Sequence, residues 1–276
     1  MNYKKRALIP LALLIVCTIY LILILTTRDL NLDIDLKGGN QIIADYNQQV
    51  NEAELENILK QYDANIRTAK GITTNTVFIE FDASINPKDV LNTLKQNNYE
   101  FDDYSIQTIG PSLGTEFLQQ AAYVLLFSFI FMACTIFFIF RVPLPSFFLV
   151  LTVIADLTET LAITQMVGIK LSLASFASLL LLIGYSVDDN ILMATRMLKS
   201  EGKDYDSIIK RSFKTGLTMV GTTLVALSAL FIISTSVVID TIASVLIIGL
   251  LADLLNSWVL NAGLMVWYVE RKVKSK

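Results

Sequence analysis

The run from Leu171 to Met197, LSLASFASLLLLIGYSVDDNILMATRM, leaves few options to the chain that contains it. A helix that spans a bilayer needs ~20 mostly apolar residues. Leu171 to Val187 supplies most of them before Asp188 and Asp189 interrupt, with Arg196 two turns further on. An acid inside a membrane helix costs about 2.5 to 3.5 kcal/mol on insertion scales, so it persists where it faces protein or water, and there it commonly serves ions or protons. The same chain is 54% hydrophobic with a mean hydropathy of +0.57 over 276 residues. That is too apolar for a soluble domain and too long for a single anchor, so a polytopic membrane protein is expected.

Further apolar spans occur at Ala7 to Leu25 and at about Leu118 to Phe140, Leu144 to Val167, Leu171 to Thr195, Thr215 to Ile233 and Ile239 to Val266, which predicts six transmembrane helices. The first resembles a signal peptide, but its 19 residues exceed a typical h-region and the following TTRDL offers no small-residue cleavage site, so a retained helix is expected. Basic residues are kept on the cytoplasmic side of a membrane. Lys4, Lys5, Arg6, Arg141, the loop carrying Arg196, Lys199, Lys203, Lys210, Arg211 and Lys214, and the tail carrying Arg271, Lys272, Lys274 and Lys276 all fall on one side when both termini are cytoplasmic. That assignment puts 14 bases inside and 8 outside. The predicted division is residues 1–26 for the amino terminus and first helix, 27–116 for an extracytoplasmic domain, 117–268 for helices two to six, and 269–276 for a basic cytoplasmic tail. Residues 27–116 hold 15 acids against 7 bases.

This external segment alternates strand and helix signals. Gln41 to Tyr46 is strand-like, and Asn51-x-x-Glu54 is the spacing of a capping box ahead of a helix with Leu55, Ile58, Leu59 and Tyr62 on one face. Asn65 to Ala69 and Thr76 to Phe81 read as strands about a turn at Lys70-Gly71. Asn86 caps a second helix with Pro87 at its first position and Val90, Leu91 and Leu94 as its stripe, and Tyr104 to Ile109 is the last strand. The order βαββαβ predicts an α+β, ferredoxin-like module.

Polar groups recur along four membrane helices. Asp156 and Glu159 share a face with Thr160; Ser172, Ser175 and Ser178 lead to Asp188; Thr215, Thr218 and Thr222 follow Arg211 and Lys214; Asp253 precedes Asn256, Ser257 and Asn261. The simplest arrangement turns all four stripes toward one interior. Hydroxyls and small residues in such stripes are more often packing than pathway. The acids are the candidates for proton handling: Asp188, Asp189, Asp156 and Asp253, with Arg211 as the expected cation beside Asp188 or Asp189 and Thr215 next to it. The sequence has no histidine, so proton chemistry falls to carboxylates, and the only cysteines, Cys17 and Cys134, lie in apolar runs where neither a disulfide framework nor a CxxC site is available. No nucleotide-binding GxxxxGK[ST] motif occurs, and Gly184-Tyr185-Ser186-Val187-Asp188 is not the Gly-x-Gly-Asp of an intramembrane aspartyl protease. No cofactor, no metal and no enzymatic activity are expected.

The stretch IGYSVDDNILMATRMLK, residues 183 to 199, resembles the SecD/SecF family of protein-export membrane proteins on its archaeal SecF side. Asp35-Leu36-Lys37-Gly38-Gly39 resembles the family's D-x-x-G-G, and Gly110-Pro111-Ser112-Leu113-Gly114, Pro145-Ser146 with Asp156, Leu171-Ser172-Leu173-Ala174, and DLLNSW with Asn261 extend the resemblance over nearly the whole chain. Asp189 matches the aspartate of the bacterial GYSxND pattern, and Asp188 matches the VD of archaeal relatives and the VDAN-like aspartate of SecD. Arg211 and Thr215 match an R-x-x-x-T pattern, although Gly216 and Met219 stand where Ser and Thr are usual. The resemblance implies an RND-superfamily unit that pairs with SecD, works beside the Sec translocation channel on a translocating polypeptide, and uses the proton gradient across the lipid bilayer; no nucleic-acid partner is implied. An RND-type exporter of lipids or small molecules is the alternative, though half of a pseudo-symmetric transporter rarely carries substrate alone.

Overall fold

A computed structural model describes residues 6–27, 30–46, 51–70, 75–99, 101, 103–199, 205–234 and 236–274. The predicted turn at Gly71 and the bases Lys4, Lys5, Lys203 and Lys276 lie outside these. The chain runs through helix α1 (Leu8–Thr27), a single turn α2 (Ile34–Lys37), β1 (Gly39–Tyr46), α3 (Glu52–Leu59), β2 (Asn65–Lys70), β3 (Asn75–Phe81), α4 (Pro87–Gln96) and β4 (Asp103–Ile109). It continues with α5 (Pro111–Phe140), α6 (Pro143–Val167), α7 (Leu173–Lys199), α8 (Tyr205–Ile233), α9 (Val237–Leu255), a π-helical segment Asn256–Asn261 and α10 (Ala262–Lys274). Among the described residues, six helical stretches are long and apolar enough to cross a membrane: α1, α5, α6, α7, α8 and the continuous run Val237–Lys272. The protein is a multi-pass membrane protein carrying one α+β domain between its first two spans.

The four strands form an antiparallel sheet in the order β2-β3-β1-β4, the arrangement of a split βαβ module. Period-two alternation explains its first face: Ile42, Ala44, Val77, Ile79, Phe81 and Ile66 close against Leu55 and Leu59 of α3 and Val90, Leu91 and Leu94 of α4. The opposite residues of β3, Thr76, Phe78 and Glu80, are buried as well, because that face lies over the helical bundle. Asn86 caps α4 as expected, its side chain accepting from the Lys88 N–H at 3.1 Å. The capping box at Asn51 does not form: its side chain bonds no helix N–H.

The two glycine motifs meet each other. Asp33 caps α2 by accepting from the Ile34 N–H at 2.8 Å, and Ile34 and Leu36 are buried. Gly38 follows at φ 81°, a left-handed conformation that suits glycine, and lets α2 cross the first turn of α5 with backbones touching. A Cβ at Gly114 would sit 2.6 Å from the Gly38 nitrogen and 3.0 Å from the Lys37 carbonyl carbon. Gly114→Val is therefore expected to cost ~1–3 kcal/mol or more through overpacking that only backbone movement relieves. The measurement is thermal unfolding in detergent; an unchanged midpoint would contradict the close crossing.

In the bundle α6 is the most enclosed helix, with Thr152, Val153, Ala155, Asp156, Glu159, Thr160 and Ala162 all fully buried. Its exposed residues, such as Phe147 and Ile154, are apolar, while its buried side carries Thr152, Asp156, Glu159 and Thr160. Cys17 and Leu21 of α1 pack on its Ala162, while Phe148 and Leu149 join Met193, Met197, Trp258 and Met265 in the largest core cluster. α5 and α8 instead leave Phe131, Phe138 and Val225 outward, the apolar surface expected of helices that face lipid or another membrane subunit. α8 begins ten residues before the expected Thr215, because Ile209 and Ser212 already seat its first turns against the bundle.

Candidate functional site

The buried polar groups of α6, α7 and the π-helical segment converge. Asn256 donates from its amide to Asp156 Oδ1 and to Glu159 Oε2, both at 2.9 Å, bridging two acids that lie three residues apart on one face of α6. Ser186 of α7 donates to the other oxygen of Asp156. Asn190, one turn along α7, donates to the Ser186 carbonyl at 2.9 Å and to its hydroxyl at 3.2 Å. Asn261 then donates to Asn190 Oδ1 at 2.6 Å, and Ser257 donates to Asp253 Oδ1 at 2.7 Å. Asp253 lies within electrostatic reach of Asp156. Every member is buried, so a chain of hydrogen bonds crosses the bundle core from α6 through α7 to the last helix.

The π-helical segment makes this convergence possible. An α-helix would carry Asp253, Asn256, Ser257 and Asn261 on a drifting stripe; the wider turn at Asn256–Asn261 keeps Asn256, Ser257 and Asn261 all inside. Such single wide turns are rare and tend to occur at functional positions. Several acceptor atoms in the cluster have no hydrogen-bond partner among the described residues: Glu159 Oε1, Asp253 Oδ2, Asn256 Oδ1 and Asn261 Oδ1. Acceptors buried without a protein donor are uncommon, and each calls for an explanation.

The adjacent aspartates separate cleanly. Asp189 points inward and is 2% exposed, within electrostatic reach of Asp253, and neither of its carboxylate oxygens has a partner among the described residues. It lies under Gly216 of α8, where a Cβ would come 3.2 Å from Asp189 Oδ1 and 2.3 Å from the Trp258 ring. Asp188 points out of the bundle beside Gly184 and Tyr185. The structure thus brings Asp156, Glu159, Asp189 and Asp253 into one interior and leaves Asp188 outside it.

Two expectations about α8 are not met. Arg211 is exposed, and no ion pair among the described residues joins it to Asp188 or Asp189. Arg196 is the arginine that ties α7 to α8, donating to Ser212 at 3.3 Å and Thr215 at 3.4 Å. Thr218 and Thr222 are exposed and bond their own helix carbonyls, so the α8 stripe turns away from the shared interior. Helical spacing fixes which residues share a face but not which way that face turns. Sequence reading also passed over Ser186 and Asn190 as members of the cluster; their i, i+4 spacing along α7, in register with Asp189, was the available signal.

Comparison with known proteins places these features in a family. The family described as "Protein export membrane protein SecD/SecF, C-terminal" matches residues 89–271. The protein-export membrane protein SecF of Pyrococcus furiosus is 37% identical over 99% of this chain and 93% of its own length. That of Methanocaldococcus jannaschii is 33% identical over 97% of this chain and 96% of its own. Among solved structures, SecDF of Thermus thermophilus, described as a translocon-associated membrane protein, superposes with a TM-score of 0.77 at 20% identity. The match covers 97% of this chain but only 38% of that longer one.

Proposed function

The chain belongs to the SecD/SecF family of protein-export membrane proteins, and from that premise we propose that it is a non-enzymatic accessory subunit of the Sec export machinery, pairing with SecD and coupling the proton gradient to translocation of a polypeptide. The observation that carries the coupling is the acid–amide cluster of Asp156, Glu159, Asp189 and Asp253, buried across three membrane helices. One proton crossing 100 mV releases about 2.3 kcal/mol from the potential alone. A carboxyl group that gains and loses charge among Asn256, Ser186 and Asn190 must rearrange their bonds, and Asn256 sits on a different helix from Ser186 and Asn190. The α+β domain is assigned to the extracytoplasmic side, where the emerging polypeptide is, and both ends of the chain to the cytoplasm, by the distribution of Lys and Arg.

SecD is placed against the outward face of α7. Gly184 has open space where a Cβ would be, Tyr185 is exposed, and Asp188 presents a carboxylate on a membrane helix that needs a protein neighbour rather than lipid. The isolated chain is then expected to be less stable in detergent than its complex with SecD; equal thermal midpoints would count against this interface. Co-purification with mass spectrometry tests the function itself, with SecD and the translocation channel as the expected partners. Recovery of neither, together with transport of a lipid or small molecule by the purified chain, would favour an exporter instead. For orientation, a cysteine placed at the exposed Gln61 is expected to react with an impermeant reagent from outside the cell, and labelling only from the cytoplasm would reverse the assignment.

A further inference from the structure

Besides the crossing of α2 over α5, the α+β domain meets the bundle at the five residues Gly168 to Ser172 that join α6 to α7. α6 stops there because Gly168 takes a left-handed conformation at φ 85°, with its N–H on Gln165 O and the Ile169 N–H on Thr164 O. Leu171 pairs with Leu32 in a parallel bridge: the Asp33 N–H donates to Leu171 O at 2.8 Å, and the Leu171 N–H donates to Asn31 O at 2.7 Å. Asn31 adds two more bonds, its N–H to Gln165 Oε1 at 3.0 Å and its amide to Gly168 O at 3.3 Å.

From the same loop Lys170 reaches into the sheet. Its ammonium pairs with Glu80 of β3 and donates to Asn65 Oδ1 of β2 at 3.0 Å. The second oxygen of Glu80 pairs with Arg67 of β2, and Arg67 lies 3.7 Å from Asp33, the cap of α2. Two cations and two anions thus balance across the junction, and Glu80 and Lys170 are 3% and 9% exposed. Burial pushes Glu80 up, but Arg67 and Lys170 together outweigh it and hold the carboxyl below the usual glutamate range. Burial lowers Lys170, and the Arg67 charge adds to it, by more than Glu80 and Asp33 recover. A buried pair of this kind adds little to stability over an apolar contact, yet losing one partner strands a charge, so it fixes geometry rather than supplying adhesion.

Elsewhere the underside of the sheet is hollow. A cavity of about 370 Å³ separates Gln41, Asp45 and Thr76 from Val237 and Thr241 at the start of α9, and another of about 450 Å³ separates Arg67 and Phe78 from Phe231 and Asp240. Lys170 therefore ties the sheet to the α6–α7 loop, and α6 and α7 are the helices that carry Asp156, Glu159, Ser186 and Asp189.

We infer that Lys170, Glu80, Arg67 and Asp33 form a rigid joint that makes the α+β domain move as one body with the α6–α7 loop, transmitting charge-driven motion of those two helices to the domain that meets the polypeptide. These are positioning residues, and the inference rests on the proton-coupled export reading above. Export is measured in inverted vesicles containing this chain and SecD, with and without an uncoupler. Lys170→Met and Glu80→Gln are each expected to lose about tenfold of the gradient-driven component while keeping SecD association and uncoupler-insensitive export. In a background with Cys17→Ala and Cys134→Ala, the pair Leu32→Cys and Leu171→Cys is expected to cross-link on oxidation with gradient-driven export unchanged within about twofold. Gradient-driven export unaffected by both charge variants, or blocked by the cross-link, overturns the joint; so does loss of SecD association with both components of export, which would make the residues purely structural. Absence of any uncoupler effect on the unsubstituted chain would instead contradict the export reading itself.

Discussion

Asp189→Asn is expected to leave the chain inserted and bound to SecD while removing the gradient-dependent part of export. The amide keeps the shape of the carboxyl under Gly216 and beside Trp258 but does not titrate in the physiological range. If one proton per cycle is involved, the driving bias lost is about 2.3 kcal/mol per 100 mV, or roughly 50-fold in a two-state population. Asp188→Asn is expected to behave differently, because that side chain faces out of the bundle. Its effect should fall on SecD association, read by co-purification. A pair of variants with the reverse pattern would mean that the exposed aspartate is the proton-handling one.

Asp156→Leu should unfold or disassemble the bundle. Asp156 accepts from Ser186 and Asn256 and is fully buried, so leucine takes the shared acceptor away from two buried donors. Each stranded donor costs ~1–3 kcal/mol, and leucine adds volume to a packed site. Asp253→Asn retains an acceptor for Ser257 and is expected to be mild, about 1 kcal/mol or less. Thermal unfolding of the complex in detergent separates the two. Similar midpoints for Asp156→Leu and the unsubstituted protein would show that the cluster's hydrogen bonds do not hold the helices together.

What the sequence discloses here follows from what local periodicity can carry. Apolar runs long enough to span a bilayer announce all six crossings, and the alternation of Val77, Ile79 and Phe81 announces β3 and its core face. The burial of Thr76, Phe78 and Glu80 on the reverse face is invisible, because it depends on Lys170, Phe231 and Val237, which lie far along the chain. The acids of the site are legible one helix at a time: Asp156 with Glu159, Asp189, Asp253. Their assembly is not, since it depends on the wide turn at Asn256–Asn261 and on amides and hydroxyls from other helices. Arg211 misleads for the same reason: it stands on the right helix at the right end, but α8 turns that face outward, and Arg196 makes the connection from α7 instead. The Lys170–Glu80 pair spans 90 positions between a loop and a strand, and nothing in either neighbourhood signals the other.

The claim that the buried carboxyl groups move protons to drive export is tested most directly by the uncoupler sensitivity of export in inverted vesicles, comparing the unsubstituted chain with the Asp156→Asn, Asp189→Asn double variant after both are shown to be assembled with SecD. The account predicts that an uncoupler lowers export by the unsubstituted complex and leaves export by the double variant unchanged at the uncoupled rate. An undiminished, uncoupler-sensitive stimulation in the double variant would contradict it.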